Sequence, residues 1–215
     1  YTTANGSELW ISDGTEAGTT MVKDIRVGSV SSYPVLFTIH AGKLYFQADD
    51  GTHGRELWKS DGTAAGTVMI KDIDSDTGYS SAPSMFSIIN NMLYFGADSD
   101  DANGRELWKS DGTETGTVMV KDITSVIHLV AVNNVLYFQA DDGTHGRELW
   151  RSDGSPGGTT LVKDINPSGH SNPFSIIGMG NSFYFTADDG TNGTELWKSD
   201  GTPAGTTLVK DIHPA

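Results

Sequence analysis

Short apolar runs, separated by glycine- and aspartate-rich segments, follow one another along the whole chain. Residues 34–73 represent the pattern, with apolar or aromatic runs at 34–40, 43–48, 55–60 and 67–73. The segments between the runs supply residues that form tight turns, because Gly tolerates positive φ and Asp bonds its own backbone. The pattern therefore predicts four short strands joined by hairpins, in an antiparallel meander.

The alternation within one run indicates how such a sheet is packed. Leu44, Phe46 and Ala48 share one face of the second strand, and Tyr45 and Gln47 share the other, because successive strand residues point to opposite sides. Both faces carry large apolar groups. This favours a sheet that is packed between two neighbouring sheets.

A tripeptide, Glu-Leu-Trp, recurs at intervals that reveal an internal repeat. Successive tryptophans of this tripeptide are 48, 50, 42 and 47 residues apart. A period in the forties that contains several short strands is typical of a β-propeller blade. The five tryptophans are Trp10, Trp58, Trp108, Trp150 and Trp197.

The repeat predicts an all-β fold, a five-bladed β-propeller of four-stranded antiparallel blades with an incomplete first blade. Residues 1–4 resemble the tail of a second strand, the innermost strand of that blade is missing, and nothing after Ile212 could supply it. A partner strand, an oligomer or a further N-terminal strand could fill the gap, and the sequence leaves this open. We expect one domain, 1–215, with blades at 1–33, 34–82, 83–125, 126–172 and 173–215.

Charge and composition narrow the function classes. The chain has 14 basic and 28 acidic residues, which give a net charge of −14 and disfavour nucleic acid or a membrane surface as partner. No apolar run approaches the roughly 20 residues that span a bilayer. There is no cysteine for a disulfide, a metal site or a nucleophile. The chain opens on Tyr1 without a signal peptide, so we expect a mature or excised segment.

The candidate sites lie in the loops between the second and third strands, which repeat a polar cassette, and in the adjacent crossovers between blades, 26–33, 74–82 and 166–172 with His170. Asp, Asn and Arg beside an aromatic-rich wall suit a hydroxyl-rich ligand, through bidentate hydrogen bonds and ring stacking. The same residues could instead cap tight turns and pair with an acid of a neighbouring blade, and both interpretations stay open. The predicted ligand-binding residues are Asp49, Asp50, His53, Arg55, Asp98, Asp100, Asn103, Arg105, Asp141, Asp142, His145, Arg147, Asp188, Asp189 and Asn192.

The crossovers between blades differ in length. The third one, 124–125, is about seven residues shorter than the one before it, so we expect one inter-blade groove to be more open or shaped differently. The repeated tryptophans are interpreted as core, because large aromatic side chains fill the space between blades. The lysine of each Lys-Asp-Ile sequence is predicted to form an ion pair between blades.

Metal binding has little support in the sequence. The stretch 98–104 is rich in oxygen donors, but it lacks the spacing of an EF-hand loop. No His-x-x-x-His pair occurs, which argues against zinc. The prediction is a protein without a required cofactor, with calcium left as an open alternative.

The consensus Glu-Leu-Trp-x-Ser-Asp-Gly-Thr-x-x-Gly-Thr-x-x-Val-Lys-Asp-Ile resembles the ELWxxDGT repeat of secreted and surface-attached bacterial proteins. The match covers nearly the whole chain, with departures such as Ile70 for Val and Ser155 for Thr. The segment 60–67 is also similar to the Asp-box of sialidase-type propellers, where it is structural and lies away from the active face. The resemblance implies an extracellular protein, secreted or on the cell surface, and it implies no defined activity.

Three functions are weighed on this basis. The leading hypothesis is a non-enzymatic, multivalent carbohydrate-binding propeller, because near-identical blades create several equivalent weak sites that gain avidity on a glycan-coated surface. The alternative is a structural or adhesion module of a larger extracellular protein. A glycoside hydrolase would need two carboxylates roughly 5–10 Å apart, and no acid departs from the repeat in a way that singles it out.

Overall fold

The computed structural model describes residues 5–76, 78–99, 104–212 and 214, and within these ranges the secondary structure is all β. Eighteen strands form five antiparallel sheets, one of two strands and four of four strands. No described segment forms a helix of the length and apolar character that crossing a bilayer requires. The all-β class predicted from the sequence is therefore confirmed.

The sheets are numbered 1 to 5 in chain order, and in every sheet the strands pair in chain order as a meander. Within the described ranges, sheet 1 comprises β1 (Leu9–Ile11) and β2 (Thr20–Lys23), which correspond to the third and fourth strands of the other sheets. The residues 1–4, predicted as the tail of an earlier strand, lie outside the described residues. The other strands are β3 (Val35–His40), β4 (Lys43–Asp49), β5 (Arg55–Ser60) and β6 (Val68–Lys71) in sheet 2; β7 (Ser84–Ile89), β8 (Met92–Asp98), β9 (Arg105–Ser110) and β10 (Val118–Lys121) in sheet 3; β11 (Thr124–Val132), β12 (Val135–Asp141), β13 (Arg147–Ser152) and β14 (Thr160–Lys163) in sheet 4; and β15 (Phe174–Met179), β16 (Ser182–Asp188), β17 (Thr194–Ser199) and β18 (Thr207–Lys210) in sheet 5.

The hairpin between the third and fourth strands of each sheet is held by the Ser-Asp-Gly-Thr sequence. In sheet 2, Asp61 Oδ1 accepts hydrogen bonds from the backbone N–H and the hydroxyl of Thr63, at 2.9 and 2.7 Å. Ser60 and Thr67 close the hairpin with a hydroxyl–hydroxyl bond of 2.7 Å. The same contacts recur in the other four sheets, with Ser155 taking the place of Thr in sheet 4. The motif is therefore a turn-forming device, as its resemblance to the Asp-box implies.

Four apolar clusters lie between consecutive sheets and make up the core. Each cluster joins the leucine of one Glu-Leu-Trp sequence to the tryptophan of the next, as Leu57 and Trp108 show between sheets 2 and 3. The tryptophans of sheets 2 to 5 are buried, so the prediction that they belong to the core is confirmed. Trp10 differs, with 43% of its surface exposed, because no sheet that the structure describes covers the outer face of sheet 1.

The lysine that ends each of sheets 1 to 4 contacts the hairpin of the following sheet. Lys23 Nζ donates a hydrogen bond of 2.7 Å to the Thr67 carbonyl, and the ammonium lies 5.9 Å from the centroid of the Trp58 ring. The prediction of an ion pair between blades is wrong, because the lysine meets a backbone carbonyl instead of a carboxylate. The equivalent bonds are Lys71 to Thr117 at 3.1 Å, Lys121 to Thr159 at 3.0 Å and Lys163 to Thr206 at 2.8 Å.

The first strands of sheets 2 to 5, namely β3, β7, β11 and β15, lie side by side in chain order. This arrangement is β-propeller-like, since each sheet packs face to face on the next around the row of inner strands. β11 carries a residue other than glycine at positive φ near its start, Ser125 (57°), and each of the four inner strands carries a shift in its pairing register together with one such residue at an equivalent position. These residues are Leu36 (φ 60°), Met85 (60°), His128 (57°) and Ser175 (52°), and they mark repeated bulges that bend the strand.

Candidate functional site

The predicted ligand residues lie in the loops that join the second and third strands, which we call the polar loops. Those of sheets 2, 4 and 5 are 50–54, 142–146 and 189–193, and each follows the last residue of the second strand. Two predicted ligands, Asp100 and Asn103, lie outside the described residues, so the loop of sheet 3 is described only at its ends. Asp98 and Arg105 are the register partners that begin and end it.

In sheets 2, 4 and 5, the aspartate that ends the second strand, just before the polar loop, accepts a hydrogen bond from the first glycine of that loop. Asp141 Oδ1 accepts the backbone N–H of Gly143 at 2.8 Å. The bonds of Asp49 to Gly51 at 2.6 Å and of Asp188 to Gly190 at 2.7 Å are equivalent. One carboxylate oxygen of each aspartate is thus used within the turn.

The next aspartate, which is the first residue of each of these polar loops, uses both of its carboxylate oxygens in hydrogen bonds. Asp142 Oδ1 accepts the backbone N–H groups of Thr144 and His145 at 3.0 and 2.9 Å, and its Oδ2 lies 2.9 Å from His145 Nδ1. Asp50 repeats these contacts with Thr52 and His53. Asp189 does so with Thr191 and Asn192, and there the side-chain amide takes the place of the imidazole. These second aspartates fit the turn-capping interpretation.

The electrostatics of the loops follow from these bonds. The pKa of Asp189 is lowered, chiefly by the backbone hydrogen bond from Asn192. Burial alone would raise the pKa of Asp142, but the hydrogen bonds from His145 and Thr144 outweigh it and lower the pKa. The hydrogen bond with Asp142 raises the pKa of His145 in turn. The imidazolium–carboxylate pair therefore persists to higher pH than a free histidine would allow.

Among the described residues, the arginines that follow the polar loops form no pair with an acid of a neighbouring sheet, which was the open alternative to ligand binding. Arg105 donates to the Ser84 hydroxyl, and Arg147 Nη1 lies 3.4 Å from Asn172 Oδ1. Arg55 holds the next crossover through its backbone, whose N–H donates to Ser80 Oγ at 2.9 Å. Among the described residues, the arginine–carboxylate pair is that of Arg26 with Asp49, at 2.6 Å, and Arg26 belongs to a crossover.

Sequence reasoning missed the buried glutamate of the Glu-Leu-Trp sequence. Glu148 Oε2 accepts the Ile165 N–H at 2.9 Å and the Ser171 hydroxyl at 2.6 Å, so it attaches the crossover to its own sheet. Glu8 and Glu56 do the same in sheets 1 and 2. The signal was present in the sequence, because a charged residue between apolar neighbours in every repeat requires buried partners.

The third crossover has the predicted length of two residues but lies two positions earlier than predicted, and a cleft lies beside it. β10 ends at Lys121 and β11 begins at Thr124, so 124–125, predicted as the crossover, belongs to a strand and only 122–123 connect the sheets. A cavity of about 300 Å³ lies at this place. Its lining comprises Asp122, Ile123, Thr124, Asp141, Asp142 and Gly143.

A comparison of the three loop glycines explains this opening. A Cβ on Gly51 would come within 2.9 Å of Arg26 Nε, and one on Gly190 within 2.7 Å of Asn166 Oδ1, so a crossover side chain covers each of these loops. A Cβ on Gly143 would meet nothing within 4 Å among the described residues. The short crossover supplies no equivalent of Arg26 or Asn166, and the loop of sheet 4 is left open.

A second cavity, of about 360 Å³, lies on the other side of the same loop. His145 and His170 both line it, together with polar groups of the loop and of the fourth crossover. The Arg147 N–H donates to His170 Nδ1 at 2.9 Å, so the neutral ring of His170 carries its proton on Nε2. The lining residues are Asp141, Gly143, Thr144, His145, Gly146, Pro167, Ser168, Gly169 and His170.

The structure thus brings Asp141, Asp142 and His145 together at two adjoining polar clefts, which we call the sheet 4 clefts. Asp122 and Ser168 join them. Ser168 lies in the crossover 166–172, which the sequence predicts as part of the site, whereas Asp122 is not among the predicted ligands. No group of three or more histidine and acidic residues among the described positions is arranged to hold a metal ion. The stretch 98–104, considered for calcium, falls largely outside the described residues.

Comparison with known proteins bears on the fold alone. No protein-family model and no curated protein matches the chain. Among solved structures, puromycin hydrolase is similar with a TM-score of 0.56 and 12% identity, over 90% of this chain and 31% of that one. The chain thus spans about a third of that protein's length. Oligopeptidase B from Leishmania major has a TM-score of 0.49 at 16% identity, over 91% of this chain and 28% of its own. A thermostable family-43 glycoside hydrolase has a TM-score of 0.37 at 14% identity, over 86% of this chain and 74% of its own.

Proposed function

We propose that the chain is a non-enzymatic carbohydrate-binding module of an extracellular protein, built as a five-bladed β-propeller with an incomplete first blade. The sheet 4 clefts are its principal site, and the polar loops of the other sheets are weaker copies. The ELWxxDGT-like repeat supports the extracellular placement. Glycans or glycoconjugates are the proposed partners, and no cofactor is required.

The observation that carries this proposal is the pair of histidines in the larger sheet 4 cleft. His145 Nδ1 faces the Asp142 carboxylate at 2.9 Å, so in the neutral ring Nε2 is an acceptor. His170 Nδ1 accepts a backbone N–H, so its Nε2–H is a donor. A sugar hydroxyl both donates and accepts hydrogen bonds, and this pair offers one partner of each kind. The cleft volume, about 360 Å³, lies in the range of small-ligand sites.

The repeated loops support multivalency, with sites of unequal strength. Arg26 covers the loop of sheet 2 and Asn166 covers that of sheet 5, whereas the loop of sheet 4 is open at Gly143. A ligand would have to displace a crossover side chain in sheets 2 and 5. We therefore expect one stronger site and at least two weaker ones, which together provide avidity on a glycan-coated surface.

The test is a glycan-array screen of the purified chain with calcium and with EDTA, followed by titration calorimetry on the best ligand. His145→Ala and His170→Ala should each weaken binding by about tenfold or more, which corresponds to about 1.4 kcal/mol. His53→Ala is the matched control, because His53 makes the same turn bond to Asp50 beside the covered loop of sheet 2. Absence of saturable binding under both conditions would contradict the proposal.

A structural or adhesion module of a larger protein is the second candidate. It is favoured by the polar-loop aspartates, whose carboxylates are used largely in capping their own turns, such as Asp50 with Thr52 and His53. It predicts that His145→Ala and His53→Ala behave alike and that no glycan saturates. The calorimetric comparison of these two variants therefore separates the two functions.

A further inference from the structure

Consecutive sheets pack on each other at four interfaces of one kind. Sheet 1 and sheet 5, the first and last sheets described, each have one face that packs on no other sheet of the described residues. We call the outer face of sheet 5, with Tyr184, Leu196, Lys198 and Lys210, the tail face. We call the outer face of sheet 1, with Trp10 and the hairpin 12–19, the head face. We propose that the tail face of one copy of this chain packs onto the head face of a second copy, and that the chains associate head to tail.

The burial of equivalent residues shows that both faces are uncovered. Leu57 is fully buried by sheet 3, whereas Leu196, at the same position of sheet 5, is 37% exposed. Trp58 is 5% exposed beneath sheet 1, whereas Trp10 is 43% exposed. Val209 and Ile212 extend the apolar part of the tail face and are likewise exposed. The tail face therefore has apolar groups that elsewhere in the fold pack against the next sheet, whereas the head face has Trp10 but, among the described residues, no counterpart of the second-strand Phe46 and Ala48 that complete the contact in sheet 2.

The lysine contact identifies what would cover the tail face. At all four internal interfaces the lysine that ends one sheet donates to a threonine carbonyl in the next hairpin, as Lys163 does to Thr206 at 2.8 Å. Lys210 holds this position in sheet 5 and has no hydrogen-bond partner among the described residues. Thr19 is the equivalent threonine in sheet 1, and the described lysines leave its carbonyl unused. In a head-to-tail contact, Lys210 Nζ of one copy would therefore donate a hydrogen bond to the Thr19 carbonyl of the other.

A second hydrogen bond between sheets recurs, and its donor is a basic residue of the third strand. Lys59, Lys109 and Arg151 donate to the carbonyls of Gly112, Gly154 and Gly201 in the following hairpins, at 2.6, 3.2 and 3.3 Å. Lys198 is the equivalent residue of sheet 5, and it contacts the ring of Tyr184 within its own sheet. Gly14 is the equivalent glycine of sheet 1.

A tyrosine of the second strand accompanies this bond. The hydroxyls of Tyr45, Tyr94 and Tyr137 cover Gly112, Gly154 and Gly201 so closely that a Cβ on any of these glycines would overlap them. In the tail face, Tyr184 holds this position. In the head face, a Cβ on Gly14 would meet nothing within 4 Å among the described residues, so the place for a tyrosine is open.

The first and second strands, which sheet 1 lacks among the described residues, take no part in accepting the three recurring polar contacts. All three recurring contacts end on the hairpin between the third and fourth strands, which sheet 1 has complete with its own Asp13–Thr15 and Ser12–Thr19 bonds. Head and tail are different surfaces, so the interface is heterologous and generates rings or open filaments. This inference does not depend on glycan binding.

The test is the molar mass in solution, measured by light scattering after size exclusion over a concentration series. It is run at moderate ionic strength, because the net charge of −14 makes copies repel at low salt. We expect the wild-type mass to rise with concentration to at least twice that of the monomer. Leu196→Glu, Lys210→Glu and Trp10→Glu should each remain monomeric. Val27→Glu, at a crossover residue that is 87% exposed, should associate as the wild type does.

Mixing distinguishes head-to-tail association from any symmetric dimer. A tail variant (Leu196→Glu or Lys210→Glu) keeps an intact head, and Trp10→Glu keeps an intact tail, so an equimolar mixture should form a 1:1 dimer and stop there. Circular dichroism of each variant checks that it is folded, and Lys210→Glu changes a surface lysine should Leu196→Glu fail to fold. A wild type that stays monomeric, or a mixture of folded variants that forms no dimer, would overturn the proposal.

Discussion

The Ser81 hydroxyl donates a hydrogen bond of 2.6 Å to the Glu56 carboxylate, although the two residues are 25 positions apart in the chain. The backbone N–H groups of Ser81 and Ile73 add bonds of 2.9 and 3.1 Å. One buried carboxylate thereby fixes both ends of the crossover from sheet 2 to sheet 3. Burial is the largest influence, and it raises the pKa of Glu56 from 4.5 to about 7 despite these bonds.

Replacing Glu56 by Gln should change how stability depends on pH. Because the pKa of Glu56 is raised in the folded state, its stabilising effect is fully present below pH 4.5 and is lost as the pH rises through about 7. In urea unfolding followed by tryptophan fluorescence, we expect the wild-type free energy of unfolding to fall across this window. One such group contributes at most about 1.4 kcal/mol per pH unit.

The Glu56→Gln variant should show a smaller slope in that window, together with a loss of about 1–3 kcal/mol at low pH, because the amide turns a donor toward N–H groups. Glu148, whose pKa burial also raises, should leave a residual slope. Glu16→Gln, in the exposed hairpin of sheet 1, is the control and should keep the full wild-type slope. Parallel curves for Glu56→Gln and the wild type would refute the assignment.

Lys163→Met should destabilise the chain more than Lys210→Met does. Lys163 bonds the Thr206 carbonyl at 2.8 Å and lies 5.8 Å from the centroid of the Trp197 ring, and its loss leaves a buried carbonyl without its donor. We expect a decrease of about 1–2 kcal/mol in the free energy of unfolding. Lys210 occupies the same sequence position without a hydrogen-bond partner among the described residues, so its replacement should cost less than about 0.5 kcal/mol in dilute protein. Equal losses would show that the interface bond contributes nothing.

The strands could be predicted closely from the sequence because their signals are local. Alternating apolar residues and Asp-Gly turns fixed the strand of 55–60 to the residue, and the period of the Glu-Leu-Trp sequences gave the number of sheets. The hydrogen-bond partner of a lysine side chain does not depend on the neighbouring sequence. Lys23 could reach a carboxylate or a carbonyl, and only the packing of sheet 1 on sheet 2 places the Thr67 carbonyl within its reach.

The candidate site was predicted in part, for a related reason. The residues of the polar loops could be named because the cassette repeats, but the openness of each loop depends on what the neighbouring crossover places over it. Arg26 lies over Gly51, whereas no part of the chain that the structure describes lies over Gly143. The shorter third crossover indicated which groove would differ, whereas the pairing of His145 with His170 in one cleft required the three-dimensional arrangement.

The histidines should titrate in an order that reflects their surroundings. The hydrogen bond with Asp50 raises the pKa of His53, and that with Asp142 raises the pKa of His145, whereas burial lowers the pKa of His128. In an NMR titration of the imidazole C–H signals, we expect His53 and His145 to lose their protons above pH 6.5 and His128 below it. Asp142→Asn should lower the midpoint of His145 and leave that of His53 unchanged. A midpoint of His145 that does not respond to Asp142→Asn would contradict the pairing.

The adjacent glycines of the sheet 4 hairpin offer a matched test of its turn. A Cβ on Gly158 would overlap the Asp153 carboxylate, which accepts bonds from the Ser155 N–H at 2.9 Å and from its hydroxyl at 2.7 Å. Gly158→Ala must displace that carboxylate, so we expect a loss of about 1–3 kcal/mol in the free energy of unfolding. Gly157 meets nothing within 4 Å among the described residues, and Gly157→Ala should be neutral or stabilise by about 0.4–1 kcal/mol. Since both variants add one methyl group to the same turn, similar losses in urea unfolding would mean that Asp153 does not hold the hairpin.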